Sequence, residues 1–221
     1  MNQNLLFQRD EEPFGKSWEE WAVSWCRWIF SFSKEQNPAI DKTGKYCGDE
    51  QHNREVWFLA GTFGNLVTIK RKCIIPKKRA IFFPVLEKED SFAEDTDLHA
   101  ESDLIDRCKA AIDNVIHMEA TIDGKKIEHL ENYRVRSPVF DLIFPDQNVY
   151  YVKPGLTRSV CDGYWLFIKP LKTGTHYIHF KGRNYLAEPV TMSHMKNNPN
   201  YEITENSIFE INVIYELTIT N

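Results

Sequence analysis

A tryptophan-rich segment near the amino terminus most constrains how this chain can fold. Ser17, followed three residues later by Glu20, forms a capping box and predicts that a helix starts here. The large apolar residues that follow recur at spacings of three and four, which places them on one helical stripe: Trp18, Trp21, Trp25, Trp28, Ile29 and Phe32. Each indole covers on the order of 200 Å² when buried. We therefore expect the helix to lie across a sheet, with a ligand platform as the alternative.

Most of the remaining chain has the pattern of short strands separated by turns. Asp123-Gly124 between two apolar runs predicts a hairpin. Further strands are predicted at 56–63, 79–86, 139–144, 149–152, 164–168 and 176–180, and Pro84 indicates an edge or a bulge. The clearest strand comes last, where apolar residues alternate with mostly polar neighbours: Phe209, Ile211, Val213, Tyr215, Leu217 and Ile219.

These elements predict a mainly β fold of the sandwich, jelly-roll or immunoglobulin-like type. A tryptophan-rich amphipathic helix leads it, and a middle helix starts at Asp97 or Ser102 and runs to about Asn114. Strands and helices do not alternate regularly, which disfavours a parallel α/β sheet. We expect one globular domain over 1–221, with a flexible arm at 1–16, the helix at 17–35 and a β-rich body at 56–221.

The charge balance limits the classes of partner. A net charge of −5 disfavours nucleic acid. The one local basic cluster, Lys70-Arg71-Lys72 followed by Lys77-Lys78-Arg79, is interpreted as a solvated strand end or loop, with a phosphate site as the alternative. No run approaches the ~20 apolar residues that span a bilayer. The first residues lack the apolar core of a signal peptide, which predicts a cytoplasmic protein, with secretion or the periplasm as the alternative.

No catalytic motif that we tested is complete. Gly15-Lys16-Ser17 lacks the earlier glycine of a P-loop, and Gly61-x-x-Gly64 is one glycine short of a dinucleotide motif. The acidic stretch is interpreted as a solvated loop, although such a loop could hold Ca²⁺: Glu87, Glu89, Asp90, Glu94, Asp95 and Asp97. No cofactor is predicted.

The leading hypothesis is a non-enzymatic binding module for a carbohydrate, a peptide or a protein. Its candidate ligand-binding residues are Asp41, Trp57, Asp162, Tyr164, Trp165 and His176. Complete burial of Trp57 and Trp165, with no exposed aromatic surface or groove, would count heavily against this hypothesis. The alternative is a metal-dependent or hydrolytic enzyme whose site is assembled from distant residues, with Asp41, Glu101, Asp162 and His176 as the first candidates.

Several segments together resemble an uncharacterised family of bacterial and archaeal proteins. They are Trp18-x-x-Trp21-x-x-x-Trp25-x-x-Trp28, Asn37-Pro38, Asp41-x-Thr43-Gly44-x-x-Cys47, the run from Val56 to Gly64, Cys73-x-Ile75-Pro76, the run from Ala80 to Val85, Ser159-x-x-Asp162-Gly163-Tyr164-Trp165, and Gly174-x-His176-x-Ile178-x-Phe180-x-Gly182. The resemblance spans nearly the whole chain, which implies one domain. The family has no established activity, so the resemblance implies none for this chain. It also implies export and a disulfide between Cys47 and Cys73, with two buried thiols in a reducing cytosol as the alternative.

Overall fold

The computed structural model describes residues 5–64, 67–185 and 208–221. The mainly β prediction is confirmed: among these residues the chain forms two mixed sheets and two α-helices. The first sheet contains β1 (Val56–Phe58), β3 (Ala80–Ser91), β6 (Arg134–Arg136), β7 (Phe140–Phe144) and β8 (Gly155–Ile168). The second contains β2 (Ile69–Pro76), β4 (Val115–Ile122), β5 (Lys125–Lys126), β9 (Gly174–Tyr185) and β10 (Ile208–Thr220).

The two sheets pack face to face. Their strand orders are β1-β3-β8-β6, with β7 also paired to β8, and β2-β10-β9-β4-β5. β1 runs parallel to β3 and β2 runs parallel to β10, whereas the other pairs are antiparallel. Across the interface the rings of Phe83 and Phe180 lie 4.7 Å apart. At Gly182 a Cβ atom would come within 2.7 Å of the Leu86 Cβ, so the close approach of the sheets requires glycine there.

Helix α1 (Trp18–Ile29) covers the outer face of the first sheet, as predicted from its stripe. The capping box is present, because the Glu20 amide donates to the Ser17 hydroxyl and the Ser17 amide donates to the Glu20 carboxylate. All four indoles are buried, and the Trp18 ring contacts the Phe82 ring of β3. The helix ends at Ile29, short of the predicted residue 35, because the Asn37 side chain donates to the Ile29 carbonyl at 2.7 Å.

The predicted flexible arm at 1–16 is wrong for its described part, residues 5–16. Leu6 is buried and bridges to Ile168, and the Phe7 amide donates to the Phe167 carbonyl at 2.9 Å. A 3-10 turn, Pro13–Gly15, then leads into α1. The segment is held because it extends the ladder of β8 and covers core residues with its own apolar side chains.

Helix α2 (Glu101–Asp113) is the predicted middle helix, but neither Asp97 nor Ser102 caps it. Ala100 precedes the helix, and the Asp103 carboxylate accepts from the Ala100 amide at 3.0 Å. The cap is therefore supplied from inside the first turn. The helix covers the far ends of β3 and β8 with Leu104, Cys108 and Ile112.

Local turn chemistry decides two other predictions. The Asp123-Gly124 hairpin between β4 and β5 is confirmed, with φ of 50° and 73° at its two central residues. The strand predicted at 149–152 is wrong. The Asn148 side chain donates to the Val152 carbonyl and accepts from the Val152 amide, which closes a turn instead.

The register of β3 against β8 shifts between Pro84 and Leu86, which confirms the predicted bulge.

The basic cluster is divided between a strand and a turn: Lys70-Arg71-Lys72 lies within β2, whereas Lys77 and Lys78 lie in the turn that follows the strand, as predicted. Lys70 and Lys72 are exposed while Arg71 between them is buried, as alternation in a strand requires. The structure pairs Cys47 with Cys73 in a disulfide, the pairing that the resemblance implies, with Cα atoms 6.0 Å apart. None of the described helices is long and apolar enough to cross a membrane.

Candidate functional site

Asp41 and His176 both serve local structure. The Asp41 carboxylate accepts hydrogen bonds from the amides of Thr43 and Tyr46, which shape the loop before the disulfide. Partial burial raises the pKa of Asp41, but these bonds outweigh burial and leave the pKa below its usual value. The His176 ring nitrogens lie 2.8 Å from the Asp123 carboxylate and 2.8 Å from the Lys172 carbonyl, so both are occupied.

The aromatic candidates lie in or beside the core. Trp57 is 6% exposed, and the Arg79 guanidinium covers its ring. Trp165 is fully buried between the rings of Trp25 and Phe82. Tyr164 is half-buried on β8 opposite Arg134. The burial of both tryptophans leaves neither of them available to a ligand in this conformation.

The remaining polar candidates are engaged by arginines. Asp162 is buried and receives two hydrogen bonds from Arg134, at 3.0 and 2.7 Å. Glu101 at the start of α2 pairs with Arg158 at 2.9 Å. Asp41, Glu101, Asp162 and His176 thus each have a different set of partners. The structure does not assemble them into one catalytic site.

The acidic stretch differs most from its prediction, because its carboxyl groups are buried rather than solvated. We call the five residues that end β3 or follow it the carboxylate cluster: Glu87, Glu89, Asp90, Glu94 and Asp95. Glu89 is 1% exposed and Glu94 is 3% exposed. The Ser91 hydroxyl donates to Glu94 at 2.7 Å, and the Ser159 hydroxyl donates to Glu89.

Two cations face the other side of the carboxylate cluster. Lys88 lies 3.8 Å from Asp90, and Arg107 of α2 pairs with both Asp90 and Asp95. Two positive charges thus face five carboxyl groups, and burial disfavours the charged form of each of them.

The pKa values of the carboxylate cluster follow this balance. Burial raises the pKa of Glu87 to about 7 and that of Glu89 to about 8. Burial also raises the pKa of Asp90 to about 8, against the opposing effect of Lys88. Burial raises the pKa of Glu94 well above its usual value, and the neighbouring Glu89 raises it further.

Buried carboxyl groups with pKa values near neutrality are typical of acid–base sites. Here, however, Glu89 and Glu94 are shielded from solvent and bonded to protein groups, so a substrate cannot reach them in this conformation. No three His, Cys, Asp or Glu side chains among the described residues are arranged to hold a metal ion. We interpret the carboxylate cluster as a structural feature that affects the stability of the fold, and not as a catalytic site.

A concave surface suited to a ligand lies elsewhere, between residues 6–10 and residues 126–133. We call it the N-terminal cleft. Its volume is about 850 Å³, which falls within the range of known ligand sites. Leu6, Ile127 and Tyr133 line its base and are themselves largely buried. Its polar residues are Gln8, Arg9, Asp10, Lys126, Glu128, His129 and Asn132.

Two fixed features shape the N-terminal cleft. Arg9 pairs with Glu19 at 2.8 Å and lies over the Trp18 ring, so its guanidinium is held in place on one wall. On the other wall His129 has φ of 59° and ψ of 42°, a left-handed conformation that is uncommon outside glycine. Non-glycine residues in such conformations cluster at binding sites, where the surrounding structure holds them.

The sequence predicted none of the residues that line the N-terminal cleft. The cleft joins two segments that lie more than a hundred positions apart in the chain, and neither segment carries a motif. In the sequence, the charged residues Lys126 and Glu128, close to Asn132, are the feature that could have indicated a binding site. The same residues also fit an ordinary solvated loop, and only the packing of residues 6–10 distinguishes the two.

No protein-family model matches the chain, and no curated protein matches it either. Among solved structures, a chain described as PbICP-C in complex with falcipain-2 aligns with 75% of this chain and 99% of its own length. The sequence identity is 12% and the TM-score is 0.25. A likeness this weak assigns neither a fold family nor a partner to the chain.

Proposed function

We propose that this protein is a non-enzymatic binding module that takes an extended peptide segment in the N-terminal cleft. The observation that carries the proposal is the mixed lining of the cleft: polar residues of both charge signs, with the largely buried Leu6, Ile127 and Tyr133 beneath them. A peptide offers apolar side chains, charges of both signs and main-chain donors and acceptors. It therefore matches a mixed cleft of this kind better than a purely apolar or singly charged ligand does.

The charges of the cleft support the same ligand class. Arg9 and Lys126 are balanced by Asp10 and Glu128, so the cleft has no strong preference for an anion or a cation. Tyr133 lies in the cleft, and its hydroxyl is a neutral hydrogen-bond donor and acceptor at physiological pH. The groups proposed for acid–base catalysis, by contrast, have separate partners within the fold.

Panning a library of random linear peptides against the immobilised full chain tests this proposal. Enriched peptides should bind the wild-type protein, and Asn132→Trp, which places an indole in the exposed mouth of the cleft, should weaken them by about tenfold or more. The matched control is Thr173→Trp, at an exposed turn outside the cleft, which should leave binding unchanged. Failure to enrich peptides above the bare support, or equal binding to Asn132→Trp, would overturn the proposal.

A further inference from the structure

The outer face of the second sheet carries a second surface with a different chemistry. Six lysines and arginines and no acidic residue lie between Ile69 and Arg79, in a chain whose net charge is −5. Because side chains alternate along β2, Lys70, Lys72 and Ile74 all point outward, whereas Arg71 and Cys73 point inward. The strand thus presents positive charge and apolar surface on one exposed edge.

The exposed surface continues from β2 onto the two neighbouring strands, β10 and β9. Lys72 is opposite Glu216 of β10, which in turn is opposite Tyr177 of β9. One step along, Ile74 is opposite Thr218, which is opposite Thr175. We call the exposed members of these rows, together with Lys70, the lysine face: Lys70, Lys72, Ile74, Thr175, Tyr177 and Thr218.

The lysine face is open to solvent. Ile74 is 65% exposed and Tyr177 is 50% exposed, so both side chains are accessible from solvent. The Lys72 side chain is 79% exposed even though its ammonium lies 3.2 Å from the Glu216 carboxylate. Lys77 and Lys78, in the turn after β2, extend the positive charge beyond the end of the strand.

We infer that the lysine face is a docking surface for an acidic polysaccharide. Outward side chains on one strand repeat every ~6.6 Å, so Lys70 and Lys72 are spaced to meet successive anionic groups of a linear polymer. Tyr177 supplies a flat ring with a polar hydroxyl, on which the apolar face of a sugar ring can stack. Thr175 and Thr218 supply exposed hydroxyl groups for hydrogen bonds to sugar hydroxyls.

Two observations favour a polysaccharide over other polyanions. The charged members of the lysine face are Lys70 and Lys72, whose ammonium groups act as point charges. The one arginine of β2 points inward, so the planar guanidinium that phosphate recognition favours is missing from this face. The Cys47–Cys73 disulfide at this strand is of the kind that persists in oxidising compartments, where polysaccharides are abundant.

Sedimentation or biolayer measurements with polygalacturonate and heparin test the inference. Wild-type protein should bind both polymers and lose about tenfold in affinity as salt rises severalfold, because ion release drives such binding. The triple variant Lys70→Gln, Lys72→Gln, Lys77→Gln should lose about tenfold or more. Tyr177→Ala, which changes no charge, should lose about fivefold through the missing ring.

The matched control is the triple variant Lys109→Gln, Arg136→Gln, Lys153→Gln. It removes the same charge at exposed positions away from the lysine face, and its affinity should stay within about twofold of wild type. Equal losses of affinity in both triple variants would show that binding depends on the net charge of the protein and not on the lysine face, which would overturn the inference. So would absence of binding to both polysaccharides, or stronger binding to poly-L-glutamate or to anionic lipid vesicles than to either polysaccharide. Far-UV circular dichroism of every variant confirms that the fold is retained.

Discussion

The Ser159 hydroxyl of β8 donates a hydrogen bond to the buried Glu89 carboxyl group of β3. The contact joins the two central strands of the first sheet. Beside it the Ser91 hydroxyl donates to Glu94, which is buried as well. Burial raises the pKa of Glu89 to about 8, so the folded chain binds protons at a pH at which the unfolded chain has released them.

Stability should fall as the pH rises from about 5 to about 8. Glu87, Glu89 and Asp90 have folded pKa values of about 7, 8 and 8, above the values of about 4 that unfolded carboxyls have. Within this window the folded state binds more protons than the unfolded state, so each rise in pH favours unfolding. The stabilisation is complete below the unfolded pKa and is lost as the pH passes through the folded pKa. Urea unfolding at several pH values measures the slope.

Glu94→Gln should flatten this pH dependence. The substitution removes a buried carboxyl group whose pKa burial raises well above its usual value, so the slope should fall by up to about 1.4 kcal/mol per pH unit. Glu55→Gln, at an exposed position, is the control and should keep the wild-type slope. A wild-type chain whose unfolding free energy increases between about pH 5 and 8 would contradict the assignment.

Arg71→Lys should destabilise the fold by about 3 kcal/mol. The buried Arg71 guanidinium donates to the Tyr215 hydroxyl and to four main-chain carbonyls, those of Ala39, Asp41, Ala60 and Gly61. These bonds tie the loops on either side of β1 to the second sheet. A lysine has three donors and a different shape, so it leaves buried carbonyls unsatisfied.

Urea unfolding compares Arg71→Lys with Lys72→Ala, the next position along β2. Lys72 is exposed and pairs with Glu216 at the surface, so its loss should cost less than about 1 kcal/mol. Equal effects at the two positions would mean that the guanidinium does not hold the loops.

Elements set by local sequence were the predictable part of the fold. Three features depend on residues that are close in sequence, and the structure has all three. They are the capping box of Ser17 and Glu20, the Asp123-Gly124 turn, and the alternation of apolar and polar residues along β10. The end of α1 depends instead on Asn37, whose side chain reaches back to Ile29. A residue outside a helix that supplies its last partner leaves no periodic signal within it.

Burial of the acidic stretch depends on partners distant in sequence. Glu89 and the Ser159 that donates to it are 70 positions apart, and Arg107 comes from a helix that begins after the stretch ends. Charged runs are usually solvated, so composition alone indicated a loop. The aromatic candidates were wrong because residues predicted to contact a ligand belong to the core. Trp165, for example, is enclosed by Trp25 and Phe82.

Gly182→Ala should cost about 2 kcal/mol or more in unfolding free energy. Its added Cβ would lie 2.7 Å from the Leu86 Cβ and 2.8 Å from the Val85 carbonyl, so the two sheets would have to separate. Gly48→Ala is the matched control, since its Cβ would meet the Trp57 ring at an ordinary 3.9 Å. Thermal unfolding of both variants decides the point, and a Gly182→Ala protein as stable as Gly48→Ala would show that the sheets are not packed this closely.

The five cysteines should separate into two chemical groups. Cys47 and Cys73 form the disulfide, whereas Cys26, Cys108 and Cys161 are free and buried. Burial raises the pKa of the Cys26 and Cys108 thiols well above the usual value, so native protein should show almost no reaction with a thiol reagent at neutral pH.

Unfolding without a reductant should expose three reactive thiols, the number of free cysteines in the structure. Unfolding with a reductant should expose all five. Because the disulfide closes a segment of 26 residues, reduction should lower the unfolding free energy by about 3 kcal/mol. Five thiols in unreduced, unfolded protein would contradict the pairing. Rapid labelling of Cys26 in the native chain would instead show that the core around α1 opens, because Cys26 lies on the buried face of that helix.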